Sequence, residues 1–143
     1  MVQLRIDPEN AVSLLKTEMD RMDISTFYSR TGGDFEDVMK RLMRESRVEK
    51  YVRMFPDDPS FRELESNLAQ NKTQEAFRAA HTLKGVCMNL SFTKLFESSN
   101  TVTESLRHAD LDNTADMEKV AACMEPLRKD YRDIIEAIKC LDS

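Results

Sequence analysis

The residues of this sequence best suited to chemistry are His81, Lys84 and Gly85, within residues 79–91. Spacings of three and four positions put them on one face of a helix. Apolar and small residues recur along the same stretch at similar intervals, namely Ala76, Ala80, Leu83, Cys87 and Leu90. On a helical wheel His81 points about 140° away from the middle of that apolar arc. We therefore expect an exposed imidazole, with an ammonium group one turn further along and no side chain at Gly85.

An imidazole exposed in this way could serve as a nucleophile for an activated phosphoryl group. The neutral ring keeps a lone pair on one nitrogen, and Lys84 would supply positive charge where phosphate oxygens lie. Gly85 costs the helix about 1 kcal/mol relative to alanine, and it would let the backbone of another protein approach closely. An exposed histidine near a lysine is also common on helices that have no such role, so the spacing alone leaves both interpretations open.

Other site chemistries lack their motifs. The chain has two histidines and no Glu-x-x-His motif of the di-iron helical bundles, and we predict no metal site. It has no glycine-rich phosphate loop and no local signature of a serine or cysteine hydrolase. An enzyme with a complete active site of its own is therefore not expected.

Composition points to a helical, soluble domain. The 143 residues fit one domain, and 33% charged residues with only 3 glycines and 4 prolines favour long amphipathic helices. A net charge of −5 argues against nucleic-acid binding, and no apolar run approaches the roughly 18 residues of a membrane span. We predict a cytoplasmic monomer that contacts neither nucleic acid nor membrane.

Hydrophobic periodicity predicts four principal helices, near residues 34–55, 73–90, 93–109 and 114–141. The last stripe continues through Pro126, so we expect one kinked helix there. Shorter helices are predicted at 8–22, 25–30 and 59–70. The fold class is all-α, an antiparallel up-and-down four-helix bundle with extra short N-terminal helices. Residues 1–22 would be an N-terminal helix or a linker remnant, and residues 23–143 the bundle.

The sequence His-Thr-Leu-Lys-Gly at 81–85, followed by Leu90, Leu95, Glu104 and Arg107, resembles the histidine-containing phosphotransfer (HPt) domain of multistep phosphorelays. Gly-Gly-Asp at 32–34 is similar to the segment before the second helix of that family, and the resemblance spans residues 22–141. One position departs from the pattern. Family members usually carry glycine ten residues after the histidine, where this chain has Ser91. We expect Ser91 to be tolerated as a small N-cap.

The resemblance implies a phosphocarrier. His81 would accept a phosphoryl group from the phospho-aspartate of a response-regulator receiver, with Lys84 stabilising it, and pass it to another receiver. The residues expected to contact the partner are Gly85, Arg78, Met88, Asn89, Phe92 and Arg107. No cofactor would be bound here, because the Mg²⁺ belongs to the receiver. A hybrid sensor histidine kinase is the implied upstream partner, and the chain would act stoichiometrically, alone or as a domain of a larger kinase.

Two other functions and two structural alternatives stay open. The chain could dock receivers or kinases without phosphotransfer, or be an HPt domain phosphorylated directly by a chemotaxis-type kinase. Arg107 could simply pair with Glu104 or Glu97 on the surface. Met88 and Phe92 could belong to the edge of the core.

Overall fold

The computed structural model describes residues 22–142 and shows an almost wholly helical chain over that range. The helices are α1 (Ile24–Thr31), α2 (Phe35–Leu42), α3 (Glu45–Met54), α4 (Ser60–Ala69), α5 (Thr73–Asn89), α6 (Thr93–Leu106) and α7 (Thr114–Lys139), with a 3₁₀ turn at Phe55–Asp57. None of the described helices is both long and apolar enough to cross a membrane. The predicted helix at 8–22 lies outside the described residues except for Met22.

Helices α4 to α7 form a bundle around one apolar core. Successive helices pack against each other, α4 on α5, α5 on α6 and α6 on α7. The ring closes between α4 and α7, where the rings of Phe61 and Tyr131 stack at 3.9 Å between centroids. Beside them, Arg128 of α7 pairs with Glu65 of α4 at 2.8 Å. The predicted all-α helical bundle is confirmed, and α7 runs through Pro126 as one helix.

The prediction of one helix at 34–55 is wrong. The chain leaves the α-helical conformation at Met43, whose φ of 70° is left-handed, and Arg44 is extended. A new helix, α3, then begins at Glu45 and buries Val48 and Val52 completely. The sequence predicted one helix because the apolar periodicity continues across the break and no glycine or proline marks it. A left-handed methionine is also uncommon. The shorter α4 takes the place in the bundle that was predicted for 34–55.

The connection between α5 and α6 is a three-residue turn closed by backbone hydrogen bonds. The amide of Ser91 donates to the Met88 carbonyl at 3.1 Å, and that of Phe92 donates to the Cys87 carbonyl at 2.9 Å. This pair of bonds is the Schellman ending of a helix, which needs a left-handed residue at the position of Ser91. Its φ is indeed 55°. The expectation that Ser91 is an N-cap is therefore wrong, since it terminates α5 in a conformation that favours glycine.

The segment between α1 and α2 lies against this turn. The amide of Asp34 donates to the Ser91 carbonyl at 2.9 Å, and the amide of Lys94 donates to the Gly32 carbonyl at 3.1 Å. The resulting backbone contacts join the N-terminal helices to the end of α5. They also give buried backbone groups at the turn the partners they need.

Gly33 lies where its neighbours leave no room for a side chain. A Cβ placed there would lie 2.6 Å from the Tyr28 ring and 3.0 Å from the Ser91 carbonyl oxygen. The Tyr28 ring cannot easily move, because it is fully buried and its hydroxyl donates to the Leu90 carbonyl at 2.7 Å. Close packing of the two turns therefore depends on the absence of a side chain at Gly33.

Gly33→Ala should lower the free energy of unfolding by about 1–3 kcal/mol, because the added methyl group overpacks the contact with Tyr28. Urea unfolding followed by circular dichroism measures the change. Gly85→Ala is the matched control, since a Cβ there meets nothing within 4 Å. The control should gain about 0.5–1 kcal/mol from helix propensity. Equal stability of the two variants would contradict this account of the turn.

Candidate functional site

His81 lies on the solvent-exposed side of α5, as its position opposite the apolar stripe predicted. The helix is anchored through its other face, where small and apolar side chains are buried, namely Ala76, Ala79, Ala80, Leu83 and Cys87. The only aromatic ring recorded near the imidazole among the described residues is that of Phe77, one turn earlier, at 6.1 Å between centroids. The ring nitrogens of His81 therefore face a surface that a second molecule can reach.

Lys84 and Gly85 complete that face. The ammonium group of Lys84 lies 5.9 Å from the centroid of the Phe96 ring, which belongs to α6. A cation over an aromatic face is weakly held in this way, so the lysine is oriented without losing its charge. Gly85 leaves the surface next to it open, since no heavy atom lies within 4 Å of the place a Cβ would occupy. The three residues thus form one accessible strip along α5.

Arg107, the residue that caps the C-terminal end of α6, borders the strip. Its guanidinium donates two hydrogen bonds to the Glu104 carboxylate, at 3.0 and 2.9 Å, and lies 5.2 Å from the Phe77 ring centroid. The hydrogen bonds from Arg107 hold the pKa of Glu104 below its ordinary value. The surface pairing with Glu104 that the sequence left open is the arrangement observed. Through Phe77, Arg107 nevertheless contacts the immediate surroundings of His81.

The remaining predicted partner-binding residues divide into exposed and buried ones. Arg78, Met88 and Asn89 are exposed on α5. Phe92 is only 1% exposed, and its ring packs 5.3 Å from that of Phe55 in an aromatic cluster of the core. The prediction that Phe92 contacts a partner is therefore wrong. It follows the helix in a non-helical conformation, so its direction could not be obtained from the periodicity of α5.

A side-chain network that the sequence did not reveal holds the C-terminal end of α5. Arg41 of α2 donates to the carbonyl oxygen of Met88 at 2.9 Å and also contacts the Ser91 hydroxyl. That hydroxyl donates to the Asp37 carboxylate at 2.7 Å, and Asp37 pairs with Arg41 at 2.9 Å. A cation at the C-terminal carbonyls of a helix is favourable because of the helix dipole. The i, i+4 spacing of Asp37 and Arg41 was the one local signal.

A groove of about 460 Å³ adjoins the strip on the side of α2 and α3. Its walls are mostly apolar and come from three helices and the 3₁₀ turn, with Leu42, Tyr51, Met54, Phe55, Asp57, Asp58, Val86, Asn89 and Leu90 as lining residues. Asn89 connects the groove to Met88, its neighbour on α5. This groove could not be predicted from the sequence, because its walls depend on the break at Met43.

Comparison with known proteins identifies one family. The model of the Hpt domain matches residues 48–139, which is more than half of the 143-residue chain. The match includes His81, Lys84 and Gly85, and all four helices of the bundle. Searches of curated proteins and of solved structures found no match.

Ser91→Ala should raise the pKa of Asp37 toward its ordinary value, because the hydrogen bond from Ser91 is the largest cause of its lowering. Arg41 remains in contact, so the return should be partial. A carboxyl-detected NMR titration measures the change, with Asp23 as an internal control, since the pKa of that carboxyl is lowered by Thr26 instead. The hydrogen bond stabilises the charged carboxylate of the folded chain. Its contribution is thus present at neutral pH and is lost as the pH falls through the pKa of Asp37. An unchanged Asp37 titration would contradict the network.

Proposed function

The chain belongs to the Hpt domain family, and on that premise we propose that His81 accepts a phosphoryl group from a receiver phospho-aspartate and passes it to a second receiver. Hpt domains are phosphocarriers of phosphorelays, so the general role follows from the family. The observation that supports the specific assignment is the exposed imidazole of His81 on the face of α5 opposite its buried side chains.

The transfer needs little from this chain beyond a nucleophile in the right place. A lone-pair nitrogen of His81 attacks the phosphorus, a nitrogen–phosphorus bond forms, and the bond to the aspartate oxygen breaks. The aspartate leaves as a carboxylate, and the other ring nitrogen releases its proton to solvent. Transfer to the second receiver runs the same steps in reverse. The Mg²⁺ that neutralises charge on the phosphoryl oxygens belongs to the receiver.

Lys84 is the cation of this chain best placed to neutralise the transferred group. It lies one turn from His81 on the same face, and among residues 22–142 no carboxylate oxygen lies within 4 Å of its ammonium nitrogen. Arg107, by contrast, is already engaged with Glu104. A lysine ammonium on a flexible stem can follow the phosphoryl group as it moves between carrier and receiver.

The docking surface extends from the strip toward the groove. His81, Gly85 and Met88 are spaced i, i+4 and i+7, so a partner that covers His81 also covers the other two. The open space at Gly85 allows close approach, and Met88 and Asn89 lead to the groove between α2, α3 and α5. Arg78 adds a positive charge at the other end of the strip. The partners this surface fits are response-regulator receivers and, upstream, the receiver of a hybrid sensor histidine kinase.

His81→Gln should abolish phosphoryl uptake, because glutamine keeps a polar, exposed side chain but lacks a nucleophilic ring nitrogen. Receiver domains from the same genome, charged with radiolabelled acetyl phosphate, serve as donors. Label on the wild type should be acid-labile and alkali-stable, as expected of phosphohistidine.

His108→Gln is the matched control for that variant, since it removes the only other histidine, which is also exposed. It should take up label at the wild-type rate. Label that persists in His81→Gln, or that disappears in His108→Gln, would show that the assignment of His81 is wrong.

Lys84→Gln should slow phosphotransfer by about tenfold, which corresponds to about 1.4 kcal/mol in the transition state. Lys119→Gln removes the same charge from an exposed position of α7 and should leave the rate unchanged. Rapid-quench measurements at several salt concentrations give the two rates. An equal loss in both variants would mean that only the overall charge matters, and it would contradict a local role for Lys84.

A further inference from the structure

The exposed methionines of the described residues are concentrated at the groove that adjoins the strip. Among residues 22–142, four methionines have large exposed fractions, Met43 at 74%, Met88 at 55%, Met54 at 52% and Met117 at 43%. Met54 lines the groove, while Met43 and Met88 directly adjoin its lining residues Leu42 and Asn89 in the chain. Met117 lies apart, on α7. Three exposed thioethers therefore lie at the groove or directly next to its lining residues in the chain.

The other sulfur atoms near this surface are less accessible, and Met39 of α2 is partly buried against the core. Cys87, the cysteine of α5, is fully buried, and burial raises the pKa of its thiol to about 12. A thiol in that state is inert toward oxidants, which react with accessible thiolates. Met22 and Met124 are buried in the core. An oxidant that reaches the strip therefore meets thioethers first, and above all that of Met88, which shares the helix face of His81.

We propose that Met88, together with Met54, is an oxidation site at which conversion to methionine sulfoxide weakens docking of the receiver. The inference rests on the proposed phosphocarrier function. The oxidant is a hydroperoxide: the thioether sulfur attacks the terminal peroxide oxygen, a sulfur–oxygen bond forms and the oxygen–oxygen bond breaks. The sulfur is oxidised by two electrons, the peroxide is reduced to an alcohol or to water, and methionine sulfoxide reductases reverse the change.

The physical effect follows from the polarity of the product. A thioether is apolar and adaptable, and it suits a docking surface that must fit a partner closely. A sulfoxide is polar and would be covered by the partner without an assured hydrogen bond, which disfavours the complex. Because His81 and Met88 share one helix face, a receiver cannot reach the imidazole without covering the sulfoxide. His81 itself remains unchanged, so the modification acts on docking and leaves the nucleophile intact.

In the first step of the test the full chain is treated with dilute hydrogen peroxide. Peptide mass spectrometry then locates the oxidised methionines. Isothermal titration calorimetry then measures the affinity of the chain for a receiver domain, before and after peroxide treatment. The receiver is one that transfers a phosphoryl group to the untreated chain. We expect about a tenfold loss of affinity, restored by methionine sulfoxide reductases, with helicity unchanged. The double variant Met54→Leu/Met88→Leu should keep after peroxide whatever affinity it has before treatment, because leucine has no sulfur to oxidise. Met117→Leu, the control at the distant methionine, should lose affinity as the wild type does.

The outcomes separate the two hypotheses. If the untreated chain takes up no label from any receiver, the phosphocarrier function fails and this inference fails with it. If the untreated chain is phosphorylated but its oxidised form binds as tightly as before, only this inference is overturned. It is also overturned if the double leucine variant loses as much affinity after peroxide as the wild type, because the loss would then arise at another residue.

Discussion

The left-handed backbone of Ser91 is the constraint on which the site and its neighbours depend. It ends α5 and leaves three residues before α6 begins, so α6 must return directly alongside α5. That return places Phe96 under the ammonium of Lys84 and Arg107 over the ring of Phe77. The residues around His81 are therefore positioned by a turn about three helical turns away from it. Without a sharp helix ending at Ser91, α6 could not supply these contacts.

The same turn connects α1 and α2 to the candidate site, although neither helix contributes a residue to it. A non-glycine residue in the left-handed region carries a conformational cost of about 1–2 kcal/mol. Here the cost is offset by the serine hydroxyl, which donates to the Asp37 carboxylate, and by the backbone carbonyl of Ser91, which accepts from the Asp34 amide. Arg41 adds a bond to the end of α5. Helix α2 and the segment before it therefore help to hold Ser91 in a backbone conformation that would otherwise favour glycine.

The bundle and the exposed histidine could be predicted from the sequence because both depend on local periodicity. Small residues such as Ala76 and Ala80 recur on one face of α5, which lets α4 and α6 approach closely and leaves the opposite face free. The break at Met43 could not be predicted, since no glycine or proline marks it. The sequence left Phe92 open between a partner contact and the edge of the core for a related reason: a helical wheel gives no direction for a residue beyond the helix end. The contacts of Ser91 are tertiary, and spacing carries no information about them.

The two cations beside His81 differ in the groups that hold them. Hydrogen bonds to Glu104 raise the pKa of Arg107 and hold its guanidinium against that carboxylate through Nε and one terminal nitrogen. The charge of Arg107 is therefore partly compensated by Glu104. Lys84 lies against the face of Phe96, an interaction worth about 0.5–1 kcal/mol at an exposed position. Under the proposed function the charge of Lys84 would therefore be the more available one for an incoming phosphoryl group, whereas Arg107 packs over the ring of Phe77.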